Sequence, residues 1–214
     1  IKMGTKCHKN GKKVSYVIFI CYICTQKQNI IKKMEYIETD IKDVIIVQPK
    51  VFNDDRGYFF ESWKKDEFEK HVGQVDFIQE NESKSSYGVL RGLHYQKGEA
   101  SQAKLVRVVK GRVVDVAVDL RRESPTFGRY VMVELSDENK RQLFIPRGFA
   151  HGFLVLSDEA VFTYKVDNVY APAAEASIRF DDPDINIVWP IDMSEVKTSP
   201  KDMKGVALAD AECF

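Results

Sequence analysis

The sequence predicts an all-β sandwich or barrel in one main domain. From residue 44 onward, short apolar or alternating runs are separated by turn-forming clusters, without the strand–helix–strand repeat of α/β proteins. At 214 residues the chain is long enough for one domain with a substantial core, and its composition does not divide it in two. We therefore expect a double sheet around one apolar interior.

Ten runs carry the strand pattern. Turn chemistry lies between them, for example at Lys110-Gly111 and Ser157-Asp158. The predicted strands cover residues 44–48, 58–63, 76–83, 89–96, 104–109, 112–120, 129–135, 142–145, 152–156 and 160–166.

One short helix is predicted over residues 67–72. Asp66 can serve as its N-cap, and Gly73 follows its end, where glycine tolerates the left-handed backbone that closes a helix. A second short helix is predicted over residues 200–204.

Residues 1–33 differ from the rest of the chain. An apolar run at 14–24 lies between Lys- and Asn-rich flanks and is shorter than the roughly 20 residues that span a bilayer. It resembles the apolar region of a signal peptide, yet no small-x-small cleavage site follows. We predict that Met34 is the natural start and that residues 1–33 are an extension outside the fold, either non-native or disordered. A weak membrane anchor is the alternative.

Charge and cysteine content narrow the function classes. Lys plus Arg and Asp plus Glu number 32 each, whereas nucleic-acid binding usually needs a basic excess, so we expect no nucleic-acid partner. Three of the four cysteines fall in the first 24 residues and the fourth is penultimate, so the predicted core has none. This pattern fits a reducing compartment and predicts a cytoplasmic protein without membrane association.

The stretch RGLHYQ at 91–96 is the most informative one for function. An arginine can hold an anion, and a histidine titrates near neutral pH, so together they favour acid/base work on a charged substrate. Strand alternation would place Arg91 and His94 on opposite faces, and they converge only if Gly92 lets the backbone bend. The alternative is a hydrogen-bonded structural histidine.

Three further polar residues lie in or beside apolar strands, where an unpaired polar group is costly. They are Lys104, His151 and Tyr164. Each also has a structural interpretation: a strand end at the surface for the lysine, a buried polar group for the histidine, and a core aromatic for the tyrosine.

The spacing P-x-G-x-x-H at 146–151 matches the second cupin motif, which delivers a histidine into a small β-barrel. A cupin metal site also needs His-x-His followed by Glu. Here His94 is followed by Gln96 and later by Glu99, so one imidazole ligand is missing, although two histidines and a glutamate could still bind a metal.

Several collinear stretches resemble the dTDP-4-dehydrorhamnose 3,5-epimerase family. They are RGLHYQ at 91–96, the long run at 103–130, IPRGFAHGF at 145–153 and the series of Tyr, Lys, Pro and Glu at 164–175. The match runs from about residue 45 to 208. It implies a cupin-like double-stranded β-helix (jelly roll) with one or two short helices, no cofactor or metal, and a homodimer.

The resemblance also implies a reaction. The family's substrate is a 4-keto sugar joined to dTDP, whose C3 and C5 hydrogens are acidic because both carbons flank the C4 carbonyl. By motif match His94 is the base, and Tyr164 is the acid that acts from the opposite face. Asp202 corresponds to the carboxylate that orients the histidine, and Lys104 would stabilise charge on the C4 oxygen. The product would be dTDP-4-dehydro-L-rhamnose, in dTDP-L-rhamnose biosynthesis.

The same match implies a substrate-binding set. Arg91 would pair with diphosphate oxygens, where a guanidinium fork suits the geometry. Tyr170 would stack on thymine, and His151 would contact the substrate rather than a metal. The other positions are Arg56, Glu61, Gln79, Asn81, Glu175 and Lys201.

Three alternatives stay open at this point. The same base and acid could serve a monofunctional 3- or 5-epimerase of another dTDP-4-keto sugar. More distant readings are a metal-dependent cupin and a non-catalytic sugar-binding cupin.

Overall fold

Two antiparallel sheets and one hairpin contain the strands of residues 34–214, the part of the chain that the computed structural model describes. The predictions made for residues 1–33 lie outside these described residues.

The strands are numbered in chain order. The six-stranded sheet contains, from edge to edge, β1 (Glu35–Glu38), β2 (Ile45–Gln48), β10 (Gln142–Ile145), β7 (Lys104–Lys110), β12 (Glu159–Val166) and β5 (Gln79–Ser86). The five-stranded sheet contains β13 (Glu175–Ser177), β6 (Leu90–Gln96), β11 (Phe149–Val155), β8 (Arg112–Asp119) and β9 (Tyr130–Ser136). The hairpin pairs β3 (Phe52–Asp54) with β4 (Gly57–Phe59).

The main core lies between the two sheets. Alternate residues of each strand point inward, as the period of two requires. Val106 and Phe162 of the larger sheet pack in one cluster with Val113 and Phe149 of the smaller one. Any residue an even number of positions away on these strands faces the same interior, unless a bulge intervenes.

The outer faces of both sheets are covered as well. Helix α1 (Lys65–Val72) lays Phe68 against Leu105 and Phe144 of the larger sheet. The C-terminal segment, residues 178–214, covers the smaller sheet with an apolar cluster that includes Phe180 and Trp189. Within residues 34–214, the helices are too short or too polar to cross a membrane.

The predicted all-β class and most strand positions are confirmed, and β10 has the predicted bounds. The prediction of Asp66 as N-cap is wrong. The helix starts two residues earlier than predicted, with Lys64 at the cap, so Asp66 lies in the first turn, where its charge favours the helix dipole. The predicted helix at 200–204 is a 3-10 turn, Asp202–Lys204. Strands β1, β3 and β13 were not predicted.

Candidate active site

A bulge in β6 brings Arg91 and His94 to one face. Gly92 has a φ of +127°, and the pairing of β6 with β11 shifts register beside it. A Cβ at Gly92 would lie 2.5 Å from the Gly152 Cα atom, so the two strands approach more closely than any side chain permits. Arg91 and His94 consequently line the same cavity, as the predicted bend requires.

This cavity has a volume of about 390 Å³ and lies between β6 and the C-terminal segment. Its walls combine two apolar side chains with cationic side chains, hydroxyl side chains and the His94–Asp202 pair. The lining residues are Val89, Leu90, Arg91, His94, Lys197, Thr198, Ser199, Lys201 and Asp202.

His94 and Asp202 form a hydrogen-bonded pair at the cavity wall. The His94 Nε2 atom lies 2.5 Å from Asp202 Oδ1, and the carboxylate also accepts hydrogen bonds from the Ser199 hydroxyl and the Gly92 amide. Burial lowers the pKa of His94 below its usual value, and the Asp202 charge opposes this shift without cancelling it. This shift favours the neutral imidazole at pH 7.

Asp202 itself stays ionised. Burial would raise the pKa of its carboxyl, but the Ser199 hydrogen bond and the neighbouring His94 outweigh burial and hold the pKa below its usual value. A carboxylate must accept, so His94 Nε2 carries the hydrogen and Nδ1 carries the lone pair.

Lys104 enters the same interior from the opposite sheet. It shares the inner face of β7 with Val106 and Val108 of the core. Burial lowers the pKa of its ammonium group to about 8, against the opposing charges of Asp115 and Glu175. Lys104 also acts electrostatically on His94, so the two groups are close in space.

Tyr164 lies on the inner face of β12, directly opposite Asn81 of the edge strand β5. The Asn81 side chain interacts with the tyrosine hydroxyl, and its amide oxygen accepts a hydrogen bond from the Gln79 side chain. Burial raises the pKa of the Tyr164 hydroxyl, although Arg91 and Asn81 oppose the shift. The hydroxyl therefore keeps its proton at neutral pH. Both faces of β5 are polar, with Ser83 and Ser85 continuing the inner row.

Glu175 on β13 is held by two neighbours. Its carboxylate accepts a 2.6 Å hydrogen bond from the Tyr170 hydroxyl and a 2.5 Å hydrogen bond from Lys201 Nζ. Burial favours the neutral acid, but these two donors lower the pKa of Glu175 below its usual value. Glu175 also acts on His94 and Lys104, which connects this trio to the proton-transfer groups.

His151 faces the core from β11 and pairs directly with His94 across the β6–β11 ladder. Its Nε2 atom lies 2.9 and 3.0 Å from the two carboxylate oxygens of Asp115 on β8. A second His–Asp pair thus stands beside the first.

Arg56 and Glu61 are not brought to this site within one chain. Arg56 extends from the β3–β4 turn, where it pairs with Asp54 and is 90% exposed. Glu61 is exposed and acts electrostatically on Tyr36, beneath helix α1. Of the other eleven predicted site residues, Arg91, His94, Lys201 and Asp202 line the cavity, and the remaining seven lie on neighbouring strands and segments without lining it.

Comparison with known proteins identifies the family. A family model described as dTDP-4-dehydrorhamnose 3,5-epimerase matches residues 38–210. The chain belongs to this epimerase family.

Individual epimerases are similar over almost their whole length. The dTDP-4-dehydrorhamnose 3,5-epimerase of Shigella flexneri is 55% identical over 182 residues, which are 85% of this chain and 99% of that protein. The crystal structure of the epimerase from Elizabethkingia anophelis NUHP1 is 52% identical with a TM-score of 0.80, and the match covers 83% of this chain and 97% of that one.

A third relative was crystallised with a ligand. The Legionella pneumophila epimerase, in complex with dTDP-4-keto-L-rhamnose, is 48% identical with a TM-score of 0.81, covering 84% of this chain and 95% of that one. The predicted epimerase class and the cupin-like jelly roll are both confirmed.

Three residues of this candidate site were missed from the sequence. Asp115 stands alone between valines in β8, and a charged residue inside an apolar strand was the signal that could have revealed it. Ser199 and Lys197 lie in an irregular segment without periodicity, so no sequence pattern pointed to them. Among residues 34–214, no three His, Cys, Asp or Glu side chains are grouped to hold a metal ion.

Proposed function

We propose that this epimerase inverts C3 and C5 of dTDP-4-dehydro-6-deoxy-D-glucose to give dTDP-4-dehydro-L-rhamnose, by metal-independent proton transfer through an enolate. The observation that carries the proposal is a histidine, His94, hydrogen-bonded to a buried carboxylate in the wall of a cation-lined cavity. Family membership supports the substrate class.

His94 would remove the proton next to the C4 carbonyl. Asp202 binds Nε2–H, which leaves the lone pair on Nδ1 as the base. Its lowered pKa keeps the base form populated at neutral pH, and the same carboxylate stabilises the imidazolium formed on proton transfer.

Lys104 would stabilise the enolate oxygen at C4. With a pKa of about 8, the ammonium group is mainly charged at pH 7. A positive charge in a water-poor interior interacts more strongly with a developing oxyanion than the same charge would in water.

Tyr164 would return a proton from the other face of the sugar. It belongs to the six-stranded sheet, whereas His94 belongs to the five-stranded sheet, so a ring bound between the sheets would meet them on opposite sides. Inversion at carbon requires this arrangement, because the proton must return opposite to the face from which it left.

Arg91 and Lys201 would bind the diphosphate. Within the described part of the chain, Arg91 has no carboxylate partner and bonds only to Ser85 and the Lys84 carbonyl. Its charge is therefore available to an anion. Tyr170 and Glu175 would complete the nucleotide side, and Gln79, Asn81 and His151 would contact the sugar.

We further propose a homodimer. The β3–β4 hairpin exposes Tyr58 and Phe59, and Phe59 is 70% exposed, although large aromatic side chains are usually buried. Covering this surface with a second copy would remove these rings from water. It would also bring Arg56 and Glu61 near another protomer, which supports their assignment to a site they do not reach in one chain.

A cytoplasmic location is also proposed, supported by the absence of cysteine between residues 25 and 212.

Deuterium exchange tests the reaction. The protein would be incubated with the dTDP-4-keto sugar in deuterated water, with and without a chelator, and exchange followed by NMR. Exchange at both C3 and C5 that survives chelation is expected. Exchange at one carbon would indicate a monofunctional enzyme. Loss of exchange on addition of the chelator would indicate a metal-dependent cupin, and no exchange in either condition would indicate a binding protein.

A further inference from the structure

We propose that Asp115 is a positioning residue of the epimerisation: one carboxylate that fixes the ring of His151 and faces the ammonium group of Lys104. The inference deepens the proposed function and rests on it for the identity of the reaction. No sequence motif assigned a role to this residue.

The surroundings of Asp115 are unusual for a carboxylate. Its side chain is 0% exposed, and it stands on the inner face of β8 between Val113 and Ala117 of the main core. Burying a carboxylate is unfavourable unless it is paired and hydrogen-bonded. Among residues 34–214, its hydrogen-bond partner is His151 alone, which both oxygens approach.

Asp119, on the same strand, is a buried carboxylate with a structural role and serves as a comparison for Asp115. It is also 0% exposed, but it accepts hydrogen bonds from Arg121, Ser124 and Thr126. These partners tie the loop after β8 to the sheet. Asp115 makes no such links, and its interactions all point toward the proposed site.

The bond to His151 fixes the tautomer of that ring. Because the carboxylate accepts, Nε2 carries a hydrogen, and the imidazole plane is set by two oxygens 2.9 and 3.0 Å away. His151 is paired with His94 across the ladder and is only 8% exposed. A fixed ring at this position presents one defined nitrogen, Nδ1, to whatever occupies the neighbouring space.

The second link of Asp115 is electrostatic, and geometry permits it, because Asp115 on β8 and Lys104 on β7 both lie on the inner faces of the two facing sheets. Asp115 from β8 and Glu175 from β13 both favour the charged form of Lys104, and Asp115 has the larger effect. His94 from β6 also interacts electrostatically with Lys104. Without the Asp115 charge, the pKa of Lys104 falls further below about 8, and less of the ammonium form is present at pH 7 to 8.

Two variants separate these effects. Asp115→Asn keeps an acceptor oxygen for His151 but removes the charge, whereas Asp115→Ala removes both. We expect Asp115→Asn to move the basic limb of the kcat/KM profile to lower pH and to reduce kcat at pH 8 roughly 10-fold. Asp115→Glu should return the limb toward its wild-type position.

The ring of His151 is observed without substrate, by ¹⁵N NMR of its imidazole nitrogens. Wild type and Asp115→Asn should show the Nε2–H tautomer, and Asp115→Ala a mixture of tautomers. Asp119→Asn is the matched control, because it should lower the melting temperature while changing neither the basic limb nor the His151 spectrum.

An unmoved basic limb in Asp115→Asn, or a wild-type tautomer in Asp115→Ala, would overturn the inference. Wild-type protein that shows the Asp115-dependent tautomer but no exchange at C3 or C5 would overturn the proposed function and leave the His151 contact standing. Thermal melts of each variant separate loss of fold from loss of either link.

Discussion

The two His–Asp pairs of this protein use the same residue types in different surroundings. His94 is 31% exposed and lines the cavity, and its carboxylate comes from Asp202, 108 residues further along the chain. His151 is 8% exposed, and its carboxylate lies on the adjacent strand, 36 residues away. A partly exposed imidazole that lines a cavity can exchange a proton with a ligand, whereas a fully buried one is better suited to hold a fixed orientation. Access to the cavity, rather than residue type, distinguishes the proposed general base, His94, from the buried His151.

The largest expected effect tests which pair moves the proton. His94→Ala should lower the rate of deuterium exchange at C3 and C5 by roughly 10³- to 10⁴-fold, because the general base is gone. His71→Ala, on helix α1 and packed on Tyr36, is the matched histidine control and should keep wild-type exchange. Near-normal exchange in His94→Ala would show that His94 is not the base.

A smaller loss of catalytic activity is expected for Asp202→Asn. We expect kcat/KM to fall on the order of 10²-fold, because the imidazolium loses its counter-charge but the base remains. Asp202 raises the pKa of His94, so its neutralisation should lower that pKa further and move the acidic limb of the pH profile to lower pH. Asp192→Asn, an exposed acid on the same segment, should do neither. An acidic limb that moves upward would contradict the assignment.

A glycine substitution tests how much the bulge at Gly92, where β6 packs closely against β11, contributes to stability. Gly92→Ala should destabilise the fold by about 2–3 kcal/mol, because the new Cβ meets Gly152 and the φ of +127° is strained. Gly57→Ala is the control, since φ there is +124° but nothing lies within 4 Å of the added Cβ. Its cost should be about 1 kcal/mol, from backbone strain alone. If Gly92→Ala and Gly57→Ala lowered the melting temperature equally, the close contact between β6 and β11 would contribute nothing to the cost of the Gly92 substitution.

Much of this site was predictable because its members lie in regular strands. Lys104 and Tyr164 fall in the predicted strands at 104–109 and 160–166, and alternation carries them to the inner face. Gly92 marked the bulge, since glycine inside a strand needs a backbone reason.

Other features depend on contacts that a sequence pattern does not contain. Strand β13, which carries Glu175, has three residues, too few to show a period. The partner of Asp115 is set by the β8–β11 register, and periodicity does not specify which strands become neighbours. Asp202 was placed by family resemblance, because nothing local to its turn indicates a histidine 108 residues away.

The polar edge strand β5 has a consequence for dynamics. It has no apolar row on either face and is held in the six-stranded sheet by β12 alone. Strands fixed mainly by ladder hydrogen bonds open more readily than strands anchored by buried side chains. The amides of Gln79–Ser86 should therefore exchange with solvent sooner than those of β7. We therefore expect β5, which carries Asn81, to be the more mobile wall of the site, and β6, which carries His94, to be the more rigid wall.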